Sequence, residues 1–214
     1  EGLFGTAEKV VSTKELIDKK TLANLKIKCI VLKHPTKKER MDYVEEMDYI
    51  VSRESRNKFI LDLCKTISGN TLCLFQLVEK HGKILHDGMK GGENVYFVYG
   101  GTDTEQREKI RGLVEGHTKS TTIASYGTFS TGINIRNINN IVLASPSKSK
   151  IRVLQSIGRG LRTSSTKDSI LIFDIADDIS YGERRNFTLN HFFERINIYN
   201  EEQFNYEISK VKIK

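Results

Sequence analysis

The chain has few cysteines and lacks a long apolar run. Its 214 residues include three cysteines, Cys29, Cys64 and Cys73, which are far apart and set in apolar surroundings. Because there is no Cys-x-x-Cys pair, the sequence predicts buried reduced thiols rather than zinc ligands or a disulfide framework. No apolar run approaches the ~20 residues of a membrane span. The opening residues contain neither a signal peptide nor an initiator Met. We therefore expect a piece of a longer cytoplasmic protein.

The signatures of a self-contained catalytic site are also missing. There is no Gly-x-x-x-x-Gly-Lys-Ser/Thr phosphate loop. The adjacent acid pairs Glu45-Glu46 and Asp177-Asp178 do not follow a strand in an Asp-Glu-x-His arrangement. The five histidines show no catalytic or metal-ligand spacing, so we expect them at the surface or in packing. The sequence predicts no metal site and no complete catalytic set.

Basic residues, by contrast, are concentrated in one part of the chain. The net charge is +7, and no acidic residue occurs between Glu115 and Asp168. That interval contains eight bases: Lys119, Arg136, Lys148, Lys150, Arg152, Arg159, Arg162 and Lys167. A long basic tract without acids is typical of a surface that meets phosphates. A solvated basic face is the competing interpretation.

Short apolar strands alternate with amphipathic helices, which predicts an α/β domain with a mostly parallel sheet and helices on both faces. We predict strands at 28–32, 71–75, 95–99, 121–125, 140–144 and 169–175, and an edge strand at 205–213. Helices are predicted twice within 37–67, then to about residue 85, at 104–115 and at 184–199. Ligands of such sheets bind beyond the carboxyl ends of the strands, so the loops after the middle strands should share a functional edge.

A helix is predicted between the strands at 140–144 and 169–175, with an unusual cationic stripe. One face carries Arg152, Gln155, Arg159 and Arg162, and the opposite face carries Val153, Leu154, Ile157 and Leu161. Gly158 and Gly160 each cost ~1 kcal/mol of helix propensity relative to Ala. Close approach by an anionic ligand or partner explains both the arginines and the glycines, whereas a solvated basic helix explains only the charges.

Two polar loops follow predicted strands. Residues 125–134 contain two glycines and several hydroxyl residues, which suits a loop that offers N–H and O–H groups to a phosphate or ribose. A polar turn with glycines at positive φ is the alternative interpretation. Gly100-Gly101-Thr102-Asp103 gives a weaker signal, because Thr102 or Asp103 could simply cap the next helix.

Together these motifs resemble the second RecA-like domain of superfamily 2 helicases and translocases. Gln155-x-x-Gly158-Arg159-x-x-Arg162 matches the family's sixth motif, and 125–134 resembles the fifth, with Gly132-Ile133-Asn134 in place of the usual Gly-Ile-Asp. Residues 71–76 resemble the strand of the fourth motif, and Gly100-Gly101-Thr102 resembles a turn that contacts nucleic acid. The resemblance covers about residues 25–178, and it is strongest to bacteriophage recombination and repair helicases.

The resemblance implies a three-layer RecA-like fold and half of an ATP site. It divides the chain into a connector from a missing first RecA-like domain (1–24), the second RecA-like domain (25–180), and a C-terminal helix and strand packed on it (181–214). The first domain would hold most of the ATP and Mg²⁺. Arg162 would be the arginine finger, with Arg159 beside it and Gln155 orienting a phosphate or water. Gly132 and Asn134 would lie against the nucleotide. The implied nucleic-acid contacts are Gln76, Thr102, Ser125, Tyr126 and Thr128.

The implied activity is that of an ATP-dependent DNA helicase acting on branched DNA and R-loops, with the chain inactive alone. The implied partners are DNA and the N-terminal RecA-like domain. Two alternatives stay open at this point. One is a duplex translocase subunit of a restriction-type enzyme, and the other is a degenerate RecA-like module that only binds nucleic acid or docks.

Overall fold

The sheet is the organising element of the fold. The computed structural model describes residues 24–35, 41–130, 137–146 and 169–214. Within these ranges the strands are β1 (Asn24–Lys33), β2 (Asn70–Phe75), β3 (Val95–Val98), β4 (Ser120–Ser125), β5 (Asn140–Leu143), β6 (Ser169–Asp178) and β7 (Asn205–Lys212). They form one sheet in the order β3-β4-β2-β5-β6-β1-β7, and every described pairing is parallel. The predicted mostly parallel sheet is thus confirmed and is more uniform than expected.

The helices connect successive strands. They are α1 (Tyr43–Ser52), α2 (Glu54–Thr66), α3 (Lys83–Gly88, which continues a π-helical turn at Val78–Gly82), α4 (Thr104–Gly116), α5 (Tyr126–Ser130) and α6 (Phe187–Glu201). The two helices predicted within 37–67 are confirmed. α5 corrects the sequence prediction, which placed a loop from residue 126. Ser125 caps the amino end of this short helix, because its Oγ accepts a hydrogen bond from the Thr128 backbone N–H at 3.3 Å.

Apolar side chains fill both faces of the sheet. Alternate residues of β1 point to opposite faces, so Ile27 and Val31 pack on the side of α4 and α6, while Ile30 and Leu32 pack on the side of α2 and α3. The result is the three-layer architecture that the sequence predicted. Cys29, Cys64 and Cys73 are buried free thiols, as predicted. No helix among the described residues is long and apolar enough to cross a membrane.

A buried ion pair holds the C-terminal helix α6 on the sheet. Arg195 of α6 contacts both oxygens of Asp174 on β6, at 2.8 and 3.0 Å, and the Tyr199 hydroxyl donates to the same carboxylate at 2.7 Å. Burial lowers the pKa of Arg195, but the Asp174 carboxylate raises it by more, so the guanidinium stays charged. β7 then pairs with β1 and forms the exposed edge of the sheet, as predicted for 205–213.

Glu46 of α1 closes the amino end of α6. This buried carboxylate accepts hydrogen bonds from the backbone N–H groups of Phe187 and Thr188 at 2.9 and 2.7 Å, and from the Asn186 amide at 2.8 Å. A carboxylate placed here satisfies N–H groups that have no partner within the helix and complements the helix dipole. Glu46 therefore joins the first and last helices of the described fold.

Candidate nucleic-acid interface

The parallel strands bring several sequence-predicted residues to one edge of the sheet. Gln76 follows β2, Thr102 ends the turn after β3, and Tyr126 begins α5 directly after β4. Because all strands run in the same direction, these positions share the carboxyl edge, which is where open α/β sheets bind ligands. The predicted nucleotide-binding residues Gly132, Asn134, Gln155, Arg159 and Arg162 lie outside the described residues.

Ser145, just past the end of β5, joins three of these segments. Its hydroxyl oxygen accepts a hydrogen bond from the Gln76 backbone N–H at 3.1 Å and lies 2.7 Å from Nδ1 of His81. Its carbonyl oxygen accepts a hydrogen bond from the Tyr126 hydroxyl at 3.1 Å. Ser145 is fully buried. It therefore fixes the ends of β2, β4 and β5 relative to one another, immediately before the predicted arginine helix.

The histidine beside Ser145 is neutral. Burial, reinforced by the positive charge of Arg56, lowers the pKa of His81 to about 3. Nε2 of His81 lies 3.2 Å from the amide oxygen of Asn57, which can only accept, so Nε2 carries the hydrogen. Nδ1 then accepts from the Ser145 hydroxyl, whose oxygen is left to accept from Gln76. Every donor in this row of hydrogen bonds from Asn57 to Gln76 has an acceptor. His81 therefore stays neutral near neutral pH, and the contact between the segments is rigid.

The side chains of the predicted contacts after β4 point into the protein. Ser125 and Thr128 are buried, and their hydroxyl oxygens lie 2.6 Å apart. Burial raises the pKa of the Tyr126 phenol well above its usual range, so it remains a donor to Ser145. Gly127 between them is exposed. These hydroxyls shape the loop, and the backbone at Gly127 is the part that faces solvent.

The turn after β3 is held by its own hydrogen bonds. Thr102 accepts the Tyr99 N–H on its hydroxyl at 3.1 Å and donates its backbone N–H to the Tyr99 carbonyl at 3.0 Å. A Cβ at Gly101 would come within 2.6 Å of the Tyr99 ring, so a larger residue there would displace that ring. Asp103 caps α4 by accepting the Gln106 N–H at 2.7 Å, which confirms one of the two predicted caps. A cavity of about 560 Å³ adjoins the turn and is lined by Tyr99 and Thr102 among others.

The Asp177-Asp178 pair has a structural role at the same edge. Asp177 is buried and accepts hydrogen bonds from Arg56 at 2.8 and 3.0 Å, with Nε2 of His34 at 2.8 Å. Burial alone would raise the pKa of Asp177, but the Arg56 guanidinium and the His34 contact hold it well below its usual range. Arg56 also donates to the carbonyl of Ala144 at 2.7 Å. No group of three or more metal-ligating side chains occurs among the described residues.

Sequence reasoning missed the residues that support this edge. In the sequence, Ser145 is only the residue after the predicted strand 140–144, and His81 is only one of five histidines without catalytic spacing. Asn57, which contacts His81, and Arg56, which donates to the Ala144 carbonyl beside Ser145, both come from α2, a separate segment of the sequence. The one signal within the sequence is the Ser-Pro dipeptide at Ser145-Pro146, which marks where β5 stops but not what the serine contacts.

The parallel sheet with helices on both faces and the loops at its carboxyl edge define a RecA-like domain. Residues 55–164 match the family described as "Helicase conserved C-terminal domain", which is about half of the 214 residues. The chain belongs to this family. The matched segment begins in α2, includes Gln76, Thr102 and Ser145, and extends beyond Arg162.

Within the family, nearly the whole length of this chain is similar to part of a bacteriophage protein. It is 35% identical to the ATP-dependent DNA helicase uvsW of Enterobacteria phage T4 over 230 residues, which cover 99% of this chain and 46% of that protein. The crystal structure of T4 UvsW superposes with a TM-score of 0.78 and 34% identity, covering 95% of this chain and 42% of that one. The chain thus spans less than half the length of this relative.

The fold is shared with more distant helicase domains. The C-terminal domain of the DEAD-box protein Dbp5 superposes with a TM-score of 0.55 at 11% identity, covering 91% of this chain and 92% of that domain. At that identity the likeness concerns the fold alone. It agrees with the three-layer RecA-like architecture that the sequence predicted.

Proposed function

We propose that this chain is the C-terminal RecA-like half of an ATP-dependent DNA helicase or translocase that remodels branched DNA and R-loops. The observation that carries the proposal is the convergence of Gln76, Thr102 and the α5 loop on one carboxyl edge, within a helicase C-terminal domain. A first RecA-like domain would supply the phosphate loop and the Mg²⁺ carboxylate, which this sequence lacks.

The nucleotide half-site is proposed from the arginine segment. Arg162 would contact the γ-phosphate as the arginine finger, with Arg159 beside it and Gln155 orienting the phosphate or the attacking water. Gly132 and Asn134 would lie against the nucleotide. All five belong to the segment that matches the helicase family. An arginine finger contributes ~10³–10⁵ in turnover, so cationic side chains in a chain with no phosphate loop make sense when another domain holds the nucleotide.

The nucleic-acid surface is proposed along the carboxyl edge. Gln76 is exposed and its backbone is fixed by Ser145, so its side chain can reach a phosphate from a defined position. The Thr102 hydroxyl accepts the Tyr99 N–H and so fixes the exposed turn at Gly100 and Gly101 after β3. Ser125, Tyr126 and Thr128 would act by presenting the exposed backbone at Gly127. Contacts of this kind carry no base readout, which suits a motor that must advance over any sequence.

DNA as the substrate is proposed from the similarity to uvsW, which is described as an ATP-dependent DNA helicase. A phage origin would place the protein in the host cytoplasm. Remodelling of branched structures and R-loops is the finer part of the proposal. The chain covers less than half of that relative, so the intact protein with its first domain is the molecule to test.

The test is ATP turnover by the intact two-domain protein, with and without branched DNA, for wild type and Arg162→Ala. We expect DNA-stimulated turnover that falls by at least about 10³-fold in the variant, while DNA affinity is retained. The 214-residue chain alone should hydrolyse no ATP.

Matched controls make the result interpretable. Lys65→Ala, which removes an exposed cation from the end of α2, should keep wild-type turnover. Measurable turnover by the isolated chain would refute the half-site. Turnover that is unaffected by Arg162→Ala would favour a binding module without a catalytic role. Translocation without displacement of a strand would favour the restriction-type translocase.

A further inference from the structure

The segment between β6 and α6 forms a rigid turn that no helicase motif includes. Tyr181 and Arg184 exchange two backbone hydrogen bonds, each N–H donating to the other's carbonyl at 3.1 Å. Gly182 takes a φ of +57°, which a tight two-residue turn of this kind requires. Residues 181–185 are all exposed. We call this segment the 181–185 turn.

Both ends of the 181–185 turn are anchored, so its shape is set before any ligand arrives. On one side the Ile179 N–H donates to the Asn186 side-chain oxygen at 3.0 Å. On the other, the Asn186 amide donates to the buried carboxylate of Glu46 at 2.8 Å. A preorganised turn loses little conformational entropy when it binds. The chain therefore holds five exposed residues in one fixed arrangement at the surface.

The chemistry displayed by the turn is cationic and aromatic. Arg184 and Arg185 form no salt bridge within the part of the chain that the structure describes, and Glu183 is the one acidic residue of the turn. The Arg185 guanidinium lies 4.2 Å from the centroid of the Phe193 ring, which orients it while leaving its N–H groups available. Tyr181 is 48% exposed. Guanidinium groups beside an exposed aromatic ring are suited to phosphates and a stacked base.

The position of the turn connects it to the proposed nucleic-acid surface. The turn follows β6, so it lies at the same carboxyl edge as Gln76 and Thr102. β3 and β6 are four strand spacings apart in the sheet, or about 19 Å at ~4.8 Å each. That distance corresponds to about six stacked nucleotides at ~3.4 Å each.

We infer that the 181–185 turn is a further DNA contact, in which Arg184 and Arg185 bind phosphates and Tyr181 stacks on a base or sugar of the same strand. The inference rests on the proposed function and extends its surface beyond the family motifs. It accounts for two arginines that form no salt bridge with any described residue and are held on an anchored turn at this edge. The negative charge of Glu183 should weaken the contact with phosphates.

The test is binding of a fluorescent single-stranded DNA to the 214-residue chain, measured by anisotropy over a series of salt concentrations. Each lost phosphate contact should lower the slope of log K against log salt by about 0.7. We expect Arg184→Gln to reduce the slope by about that amount, and Arg184→Gln with Arg185→Gln to weaken binding about tenfold. Glu183→Gln should tighten binding, and Tyr181→Ala should weaken it without changing the salt slope.

The control is the double substitution Lys65→Gln with Lys90→Gln, which removes the same charge near the opposite, amino edge of the sheet. It should leave most of the affinity and the slope unchanged. If the wild type binds and the turn variants bind equally well, the turn is no DNA contact, while the proposed function stands. If the wild-type chain does not bind, the 181–185 turn is no DNA contact, and the proposed function is decided separately by ATP turnover of the intact protein. If the turn variants of the intact protein lose ATP turnover at unchanged DNA affinity, the turn contacts the other domain or the nucleotide instead of DNA. That result would refute this inference.

Discussion

The hydroxyl of Ser145 lies 2.7 Å from Nδ1 of His81, and both side chains are buried. This contact joins the end of β5 to the π-helical turn that follows β2, and it fixes the backbone of Gln76 through the same hydroxyl. The neutral ring accepts the Ser145 hydrogen, whereas a protonated ring would donate to the same oxygen that accepts from the Gln76 N–H. The positions of Gln76, a proposed DNA contact, and of Ser145, at the end of β5, thus depend on the same buried histidine.

The first prediction concerns acid stability. The pKa of His81 falls from 6.5 to about 3 on folding, so the folded state binds fewer protons than the unfolded state between these values. Stability should therefore fall as the pH drops below 6.5, by about 2 kcal/mol from this residue between pH 7 and pH 5. The lowered pKa of Asp177 acts in the same direction at lower pH.

Urea unfolding at pH 7, 6 and 5 measures this effect. His81→Gln should lower stability at pH 7 but flatten the dependence on pH. His86→Gln, at a half-exposed ring of α3, is the matched control and should keep the wild-type dependence. A His81→Gln profile as steep as that of the wild type would show that the buried ring does not control acid stability.

The second prediction concerns the ion pair under α6. Arg195→Met removes the guanidinium partner of the buried Asp174 carboxylate and should cost about 3–5 kcal/mol. Lys58→Met breaks an exposed pair with Asp62 and should change the unfolding midpoint very little. Adding Asp174→Asn to Arg195→Met should recover part of the loss, because the uncompensated charge is removed. Equal effects of Arg195→Met and Lys58→Met would contradict the role given to this pair.

The third prediction sets two glycines against each other. A Cβ at Gly82 would lie 2.5 Å from the Phe75 ring, so Gly82→Ala should destabilise the protein by about 1–3 kcal/mol. A Cβ at Gly112, inside α4, meets no atom within 4 Å. Gly112→Ala should instead stabilise by up to about 1 kcal/mol. Thermal unfolding of the two variants distinguishes these outcomes by sign, and shifts in the same direction would count against the packing described at Gly82.

The fourth prediction separates two of the proposed DNA contacts. Gln76 is exposed, so Gln76→Ala should weaken DNA binding by about two- to tenfold with little change in stability. Thr128 is buried against Ser125, so Thr128→Val should cost about 1–3 kcal/mol of stability. DNA affinity measured below its unfolding transition should then be near that of the wild type. A loss of affinity in Thr128→Val at unchanged stability would mean that its hydroxyl contacts DNA directly.

The sequence by itself determined the fold class and the edge at which to look. Continuous apolar runs such as 71–75 and 140–144 indicated strands buried on both faces, and the helical spacing between them indicated crossover helices. Both patterns are local, because burial on one face or two sets the period of apolar residues. The position of the functional edge followed from the parallel direction of the strands. The motifs themselves are short and contiguous, so the sequence alone was enough to show their resemblance to helicase motifs.

The tertiary structure decided which side chains reach that edge. Ser125 and Thr128 could have faced solvent according to the sequence, but their hydroxyls bond to each other and close the first turn of α5. Ser145, His81 and Arg56 come from three separate segments, and no local pattern relates them. The 181–185 turn is anchored through Asn186, which Glu46, about 140 residues away, holds in place. Contacts between distant segments depend on the packing of the whole sheet, which a periodicity of two or 3.6 residues does not encode.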